Sequence, residues 1–166
     1  MPTLQKITPC LWFDKEGEDA ARYYCGIFGN SKINAITHYT EAGHEIHGGK
    51  AGAVLTVAFE LEGHSFMALN GGPIFKFSEA ISMAVHCDSQ EEVDSLWHKL
   101  SAGGDPAAQQ CGWLKDKFGL SWQIVPRQME AWLTSGDTAA SNRVMEALLQ
   151  MKKLDIAALQ RAFDGR

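Results

Sequence analysis

The feature that most constrains the fold of this chain is an internal repeat of a strand followed by a helix. Residues Ile7–Asp14 have the pattern of a buried strand that ends in aspartate, and Ile81–Asp88 repeat it 74 positions later. Both predicted strands lead into apolar residues at helical spacing, and both predicted helices end at a glycine, Gly29 or Gly103. A duplicated module predicts that any functional site lies where the two copies meet.

Length and composition indicate an ordinary globular protein. A chain of 166 residues with 45% hydrophobic residues is large enough for one domain, or for two half-size modules that share a core. The net charge of −5, without clusters of Lys and Arg, disfavours nucleic acid as a partner. No run of apolar residues is long enough for a signal peptide or a membrane span, so we expect a cytoplasmic protein that does not bind membranes.

The four cysteines predict neither disulfides nor a zinc site. They are scattered along the chain, at Cys10, Cys25, Cys87 and Cys111, and none of them forms a C-x-x-C pair. Free thiols are the expected state for such a pattern in a cytoplasmic protein.

The pattern of apolar and polar residues predicts the elements of both modules. In the first module we expect a strand, a helix, a second strand, a glycine-rich loop and a hairpin of two strands, at residues 6–14, 17–28, 31–40, 43–52, 53–62 and 65–70. The second module starts near Ala80, and its helix follows a capping box in which Ser89 precedes Glu92 by three residues. Its remaining strands are expected at residues 107–114 and 120–125.

The residues after Pro126 predict a helical tail. Val144, Leu148 and Met151 form one apolar stripe, and a second stripe follows Asp155, which is a plausible N-cap. The stripes pack either within the chain or against a second chain, and the sequence leaves both alternatives open.

Several motifs resemble one known family. Those motifs are Asn70-Gly71-Gly72-Pro73, Phe75-Lys76-Phe77, Gln90-Glu91-Glu92-Val93-Asp94, Cys111-Gly112-Trp113-Leu114-Lys115-Asp116, Ser121-Trp122-Gln123-Ile124-Val125-Pro126, and the tail from Arg143 to Asp155. They resemble the PhnB-like branch of the vicinal-oxygen-chelate (glyoxalase-like) superfamily, a branch often labelled 3-demethylubiquinone-9 3-methyltransferase. The resemblance implies an α+β fold, in which tandem βαβββ modules form a cupped mixed sheet and helices follow at the C-terminus. It also implies a cytoplasmic homodimer.

The resemblance sets the expected domain organisation. Residues 1–166 form a single glyoxalase-like domain, with module one at about 5–72, module two at about 80–127 and the helical tail at about 128–166.

The resemblance also predicts that the cavity holds no metal and no cofactor. Superfamily enzymes with a metal place one ligand on each of four strands, and the corresponding positions here are Thr8, Met67, Ser82 and Gln123, with Asn70 as the alternative to Met67. Two hydroxyls, a thioether and an amide are poor ligands for a divalent metal. His44 and His47, in the glycine-rich loop, have metal-ligand spacing, but solvated loop residues are the preferred interpretation.

Strand alternation, together with the positions that the resemblance assigns to metal ligands, selects the candidate ligand-binding residues. Trp12 and His86 occupy the same position in the two copies, which predicts that they lie close together in the cavity. The full set of candidate ligand-binding residues is Trp12, Met67, Asn70, His86, Trp113 and Gln123. His86 is the one evident acid or base, and its alternative is a hydrogen-bonded core histidine. Alternation places Trp122 on the helix-facing side instead.

Two classes of function follow. The first is a metal-free pocket that binds a small organic or aromatic molecule. The second is an enzyme, either an acid–base catalyst with His86 or a methyltransferase as the label implies. The strands that end at Asp14 and Asp88 lead into no glycine-rich nucleotide loop, so the sequence itself does not support binding of S-adenosylmethionine.

Overall fold

The chain consists of two compact units, each with its own sheet and helices. The computed structural model describes residues 5–166, and the units divide between Lys76 and Phe77. The α+β class, the repeated strand–helix modules and the C-terminal helices that the sequence predicts are all present. No helix within residues 5–166 is long and apolar enough to cross a membrane.

The first unit contains a four-stranded mixed sheet and two helices. Its elements are β1 (Cys10–Phe13), α1 (Gly17–Ile27), β2 (Lys32–His38), α2 (His44–His47), β3 (Val54–Leu61) and β4 (His64–Asn70). The strand order is β1-β4-β3-β2, with β1 parallel to β4 and the other pairs antiparallel. This is a βαβββ module, with α2 as an addition in the long loop between β2 and β3.

One face of this sheet packs against α1. Ala20, Ala21 and Tyr24 are fully buried on the helix, where helical spacing brings them to one side. Tyr24 stacks on Phe59 of β3 with ring centroids 6.5 Å apart. The unit thus buries one face of its sheet, and the opposite face carries the more exposed side chains.

The second unit contains a three-stranded sheet followed by helices. Its elements are β5 (Ser82–Cys87), α3 (Gln90–Ser101), a 3₁₀ turn (Pro106–Ala108), β6 (Trp113–Lys115), β7 (Ser121–Pro126), α4 (Gln128–Leu133), α5 (Thr138–Leu149) and α6 (Ile156–Asp164). The strand order is β5-β7-β6, with β5 parallel to β7. The predicted capping box is present, since the Ser89 hydroxyl accepts from the Glu92 amide at 3.2 Å.

The second module differs from the prediction before β6. Residues 107–112 were expected to extend a strand, but the strand begins only at Trp113. Pro106 starts a 3₁₀ turn, and the Asp105 side chain caps that turn by accepting from Ala107. Cys111 and Gly112 both have positive φ, which is incompatible with an extended strand.

The first unit also differs from the prediction at two places. The glycine-rich loop contains the short helix α2, between Gly43 and Gly48, whose φ values are both positive. After α1 the left-handed residue is Asn30 and not Gly29, the glycine at which the predicted helix ends; asparagine also tolerates this conformation. Gly103, at which the second predicted helix ends, has a positive φ.

The helical tail packs within the second unit. Its buried cluster consists of Met129, Trp132, Val144, Leu154 and Leu159. Asp155 is the N-cap of α6, as predicted, and accepts from the Ala158 amide at 2.8 Å. Of the two alternatives for the apolar stripes, the structure shows packing within the chain.

Candidate functional site

In the first unit, Trp12 and Met67 lie on the face of the sheet that is turned away from α1. Leu11 and Phe13 are buried on the α1 side of β1, so Trp12 between them points to the other side. Met67 pairs with Cys10 in the parallel register of β1 and β4, and its side chain is on the open face too. The structure therefore brings these two predicted residues to one surface.

The Trp12 side chain is held in a defined position. Its indole Nε1 donates to the Gly72 carbonyl at 2.9 Å, and Phe75 packs edge-on against it at 4.9 Å between ring centroids. The ring also lies flat on Gly71, where an added Cβ would come within 2.2 Å of it. Gly71 and Gly72, after β4, thus hold the Trp12 ring in place through a close contact and a hydrogen bond.

Asn70 lies on the opposite face from Trp12 and serves as a structural hub. It is buried, and its Oδ1 accepts from the Gly17 amide at 2.8 Å, the first residue of α1. Its Nδ2 donates to the Val54 carbonyl at 3.1 Å, and its own carbonyl accepts from the Tyr39 hydroxyl. Asn70 thereby connects β4, α1, β3 and the end of β2.

These connections surround a cleft of about 610 Å³ at the edge of the first unit. The walls are the end of β1, the first turn of α1, the segment after β2, the glycine-rich loop and the turn after β4. The lining residues are Asp14, Lys15, Glu18, Asp19, Tyr39, His47, Gly48, Gly49, Lys50, Ala53, Val54, Asn70, Gly71, Gly72, Pro73 and Ile74. Asn70 is the one predicted ligand-binding residue among them.

Charged groups of both signs surround this cleft. Asp14 and Asp19 have no ion pair with any residue in the described range 5–166, and neither have Lys15 and Lys50. Glu18 pairs with Arg22 one helical turn later. An entering molecule therefore meets carboxylates and ammonium groups that are available for contact.

In the second unit, His86, Trp113 and Gln123 lie on one face of the sheet. Trp113 pairs directly with Gln123, and His86 is opposite Val125, two positions further along β7. Their alternation partners Leu114, Ile124 and Cys87 are buried on the other side. His86 is exposed, so it is not the hydrogen-bonded core histidine that was its alternative interpretation.

Trp122 is on the buried side, as alternation predicts. Its Nε1 donates to the carboxylate of buried Asp116 at 2.9 Å. Asp116 also accepts from the Phe118 and Leu120 amides, so the carboxylate organises the turn between β6 and β7.

The side chains at the positions that the sequence resemblance assigns to metal ligands are a poor match for a metal. Gln123 and Ser82 are bonded to each other, with Nε2 donating to Oγ at 2.9 Å, and Met67 offers only a thioether. Within residues 5–166, no three His, Cys, Asp or Glu side chains are grouped closely enough to hold a metal ion. In the His44 and His47 pair, both ring nitrogens of His47 face backbone partners, at Ala42 and Gly49.

Sequence reasoning missed the cleft because its walls come from five separated segments. The two glycine pairs, Gly48-Gly49 and Gly71-Gly72, were the available signal, since both lie on its rim. The sequence does not show that the Tyr39 hydroxyl reaches the Asn70 carbonyl, 31 residues away, and draws these segments together.

The predicted proximity of Trp12 and His86 stays a prediction. Trp12 belongs to the first unit and His86 to the second, and the contacts described above for each residue lie within its own unit.

Comparisons with known proteins agree with this architecture. The family described as 3-demethylubiquinone-9 3-methyltransferase matches residues 5–125, most of the chain. The PhnB protein from Bacillus cereus is 36% identical, with a TM-score of 0.62 over 74% of this chain and 99% of that one. Protein PA1353 from Pseudomonas aeruginosa is 19% identical, with a TM-score of 0.56 over 74% of this chain and 97% of that one.

A glyoxylase/bleomycin resistance protein/dioxygenase domain from Frankia sp. is 14% identical, with a TM-score of 0.46 over 75% of this chain and 93% of that one. No curated protein matches the chain. The matched range contains both βαβββ-like modules and ends just before the helical tail. The chain therefore belongs to the 3-demethylubiquinone-9 3-methyltransferase (PhnB) family.

Proposed function

We propose that this protein binds a small organic molecule, without a metal ion, in the cleft at the glycine-rich edge of the first unit. The observation that carries the proposal is the cleft itself. Its volume of about 610 Å³ lies within the range of roughly 300 to 1,000 Å³ that is typical of small-molecule sites. The cleft is lined by groups of the kinds that such sites use.

The lining suits a molecule with an apolar body and at least one charged group. Val54, Pro73 and Ile74 supply apolar surface, and the Tyr39 ring supplies an aromatic wall. Lys15 and Lys50 offer ammonium donors to an anionic group, while Asp14 and Asp19 offer carboxylates to a cationic one. A few charged groups beside apolar surface fix the orientation of a ligand.

The donor chemistry supports binding without a metal. The superfamily's metal positions hold Thr8, Met67, Ser82 and Gln123, none of which is an imidazole, carboxylate or thiolate. None of these four residues lines the cleft. The proposed site thus requires no group that the chain does not supply.

The test is a screen of small aromatic acids and amines against ¹⁵N-labelled protein, in the presence of a chelator. We expect the shifted amide resonances to belong to Gly48, Gly49, Gly71 and Gly72, on the rim of the cleft. Ala53→Trp fills the cleft and should abolish the shifts. Its matched control is Ala51→Trp, an exposed position outside the cleft lining.

Two results would contradict the proposal. One is binding that survives Ala53→Trp, because the occupied site would then lie elsewhere. The other is binding that disappears with the chelator and returns with Zn²⁺ or Ni²⁺.

An enzyme with His86 as acid or base is the second candidate. The observation that favours it is the exposure of His86 on the same sheet face as Gln123 and Trp113. An exposed imidazole is accessible to a reacting proton and is a common general acid or base. For any compound that binds, we would follow its conversion by mass spectrometry and compare His86→Gln with the exposed control His98→Gln. Turnover that is lost only in His86→Gln would establish the enzyme.

The methyltransferase label is testable separately. Asp14 is followed by Lys15-Glu16-Gly17 and Asp88 by Ser89-Gln90-Glu91, and neither segment is a glycine-rich nucleotide loop. We expect calorimetry with S-adenosylmethionine to show no binding, and micromolar one-to-one binding would restore the label.

A further inference from the structure

We propose that His47 is a pH-sensitive latch on the wall of the cleft. When its imidazole gains a proton, the segment 48–50 separates from His47 and Tyr39, and the cleft loses one wall. The latch would regulate the binding cleft that is proposed above, so its role in ligand binding rests on that proposed function. The movement itself is measurable without any ligand.

The hydrogen bonds of His47 define its protonation state. Its Nδ1 lies 2.9 Å from the Gly49 amide, which can only donate, so Nδ1 must be an unprotonated acceptor. Its Nε2 lies 3.0 Å from the Ala42 carbonyl, which can only accept, so Nε2 must carry the proton. The observed loop therefore requires neutral His47 with the proton on Nε2.

His44, in the same short helix, has the opposite arrangement. Its Nδ1 lies 3.0 Å from the Gly49 carbonyl and must donate. A histidine cation keeps this Nδ1 proton and adds one on Nε2, so the His44 bond survives protonation. Both histidines contact Gly49, but only the His47 bond requires a neutral ring.

Protonation of His47 places two N–H groups against each other. The Gly49 amide and the new Nδ1 proton cannot bond, and one of the two groups has to move. The imidazole remains held by the Ala42 carbonyl and lies beside the Tyr39 ring at 4.7 Å between centroids, where an added positive charge is attracted to the aromatic face. The group that moves is therefore Gly49.

Movement of Gly49 opens the cleft because this residue closes against Tyr39. The contact is so tight that a Cβ on Gly49 would lie 2.5 Å from the Tyr39 ring. Tyr39 is itself anchored, since its hydroxyl donates to the Asn70 carbonyl. Gly48, Gly49 and Lys50 form one side of the cleft and move together as adjacent residues.

Charged groups of both signs stand on the elements around this latch. Asp14 follows β1, Glu18 and Asp19 are in the first turn of α1, and all three carboxylates line the same cleft. Lys15 and Lys50 line it too, and the His44 ring lies 6.2 Å from the His47 ring between centroids. Glu45 lies between the two histidines in the sequence of α2.

The test is amide hydrogen exchange and the ¹H–¹⁵N spectrum of the ligand-free full chain between about pH 8 and about pH 5. In the wild type we expect the Gly49 amide to exchange about fivefold faster at the acidic end, after correction for intrinsic rates. Its chemical shift should follow the same midpoint as the His47 ring nitrogens. His47→Gln, which offers a donor and an acceptor but no titration, should abolish the response, and His44→Gln should preserve it.

Two outcomes would overturn the latch. One is a Gly49 response that persists in His47→Gln. The other is a wild-type His47 ring whose ¹⁵N shifts show a protonated Nδ1 at alkaline pH, and this measurement stands even if a variant fails to fold. Because no ligand is present, either failure would leave the proposed binding function untouched, and a failed ligand screen would leave the latch intact.

Discussion

At the residue scale, single polar side chains join segments that are far apart in sequence. Asn70 is the strongest case in the first unit, because its side chain bonds to Gly17 and Val54, at separations of 53 and 16 residues. The Tyr39 side chain in turn bonds to the Asn70 backbone carbonyl, 31 residues away. When a buried polar side chain is removed, its hydrogen-bond partners remain buried without a bond, and this costs free energy of folding. The arrangement of the segments around the cleft therefore depends on the side-chain amide of Asn70.

Asn70→Ala should lower the free energy of unfolding by about 2 to 4 kcal/mol. The substitution leaves the Gly17 amide and the Val54 carbonyl without their partner in a buried site, and each stranded group costs roughly 1 to 3 kcal/mol. Urea denaturation measures the loss. Asn34→Ala is the control: Asn34 donates to Glu60 at an exposed position, so its loss should stay below about 0.5 kcal/mol. Equal losses in the two variants would contradict the role of Asn70.

Cys87 should make the fold sensitive to alkaline pH. Burial raises the pKa of its thiol to about 12, and the carboxylates of Glu92 and Asp88 add to the shift. Above the ordinary thiol pKa of about 9, the unfolded chain releases this proton while the folded chain retains it. Stability therefore falls as pH rises from about 9 towards 12, by about 1 kcal/mol at about pH 10.

The measurement is the midpoint of urea denaturation at neutral pH and near pH 10. Cys87→Ala should be less stable at neutral pH because it loses buried volume, but it should show a shallower decline at alkaline pH than the wild type. Cys111→Ala, at a half-buried position, should retain the wild-type decline. A decline in Cys87→Ala as steep as in the wild type would refute the assignment.

At the element scale, the helical tail is tied to the second module by side chains and backbone together. The Gln90 amide donates to the Leu154 carbonyl at 3.0 Å, and its oxygen accepts from the Ile156 amide at 2.8 Å. The backbone amides of Cys111 and Gly112 donate to Met151 and Lys152. The tail thus holds the turn that leads into β6, which carries Trp113.

Gln90→Ala should cost about 1 to 2 kcal/mol, because it leaves the Leu154 carbonyl and the Ile156 amide unpaired where the tail begins its last helix. Gln90→Glu should cost a similar amount, since a carboxylate faces the Leu154 carbonyl and the Asp94 carboxylate without a donor. Thermal denaturation by circular dichroism measures both. Gln150→Ala, at an exposed position after α5, should have little effect. A Gln90→Ala variant as stable as the wild type would show that the tail is held by its apolar cluster alone.

The elements that were predictable are those that local patterns define. The capping box at Ser89 and the period of two in β1, β5 and β7 depend on residues close in sequence, and the structure shows both. The helix α2 was not predictable, because four residues are too few to show a period and it is held by histidine bonds to the loop backbone. The absence of a strand at residues 107–112 was not predictable either. Carbonyl groups of the tail accept from the Cys111 and Gly112 amides and fix their conformation from 40 residues away.

The candidate site was less predictable than the fold. Strand alternation predicted one face for His86 and Gln123, and in the structure both lie on the same face of their sheet. Met67 came from the resemblance, and it lies on the same face of its sheet as Trp12. Asn70 was selected as a cavity residue, but its side chain points to α1 and is occupied by structural bonds. The cleft depends on long-range contacts such as Tyr39 with Asn70, which no local pattern encodes.

At the scale of the whole molecule, each of the two sheets has the first strand of its module at one edge. These edge strands are β1 and β5, the repeated strands from which the duplication was first evident, and the opposite edges are β2 and β6. Exposed apolar residues accompany them: Ile7 is 84% exposed just before β1, and Ile81 is 70% exposed just before β5. Unprotected edges and exposed apolar residues are features that association commonly covers.

We therefore propose that the chain forms a homodimer through the edge strand β5, and not through the tail. Sedimentation should give a mass of about twice 18.2 kDa at micromolar concentration. Ile81→Asp should shift the protein towards the monomer, because a carboxylate would be buried in the interface. Leu149→Asp, at a 53% exposed position on α5, should leave the dimer intact. If Leu149→Asp dissociates the dimer and Ile81→Asp does not, the tail is the interface, and the exposed edges of the two sheets remain available for another partner.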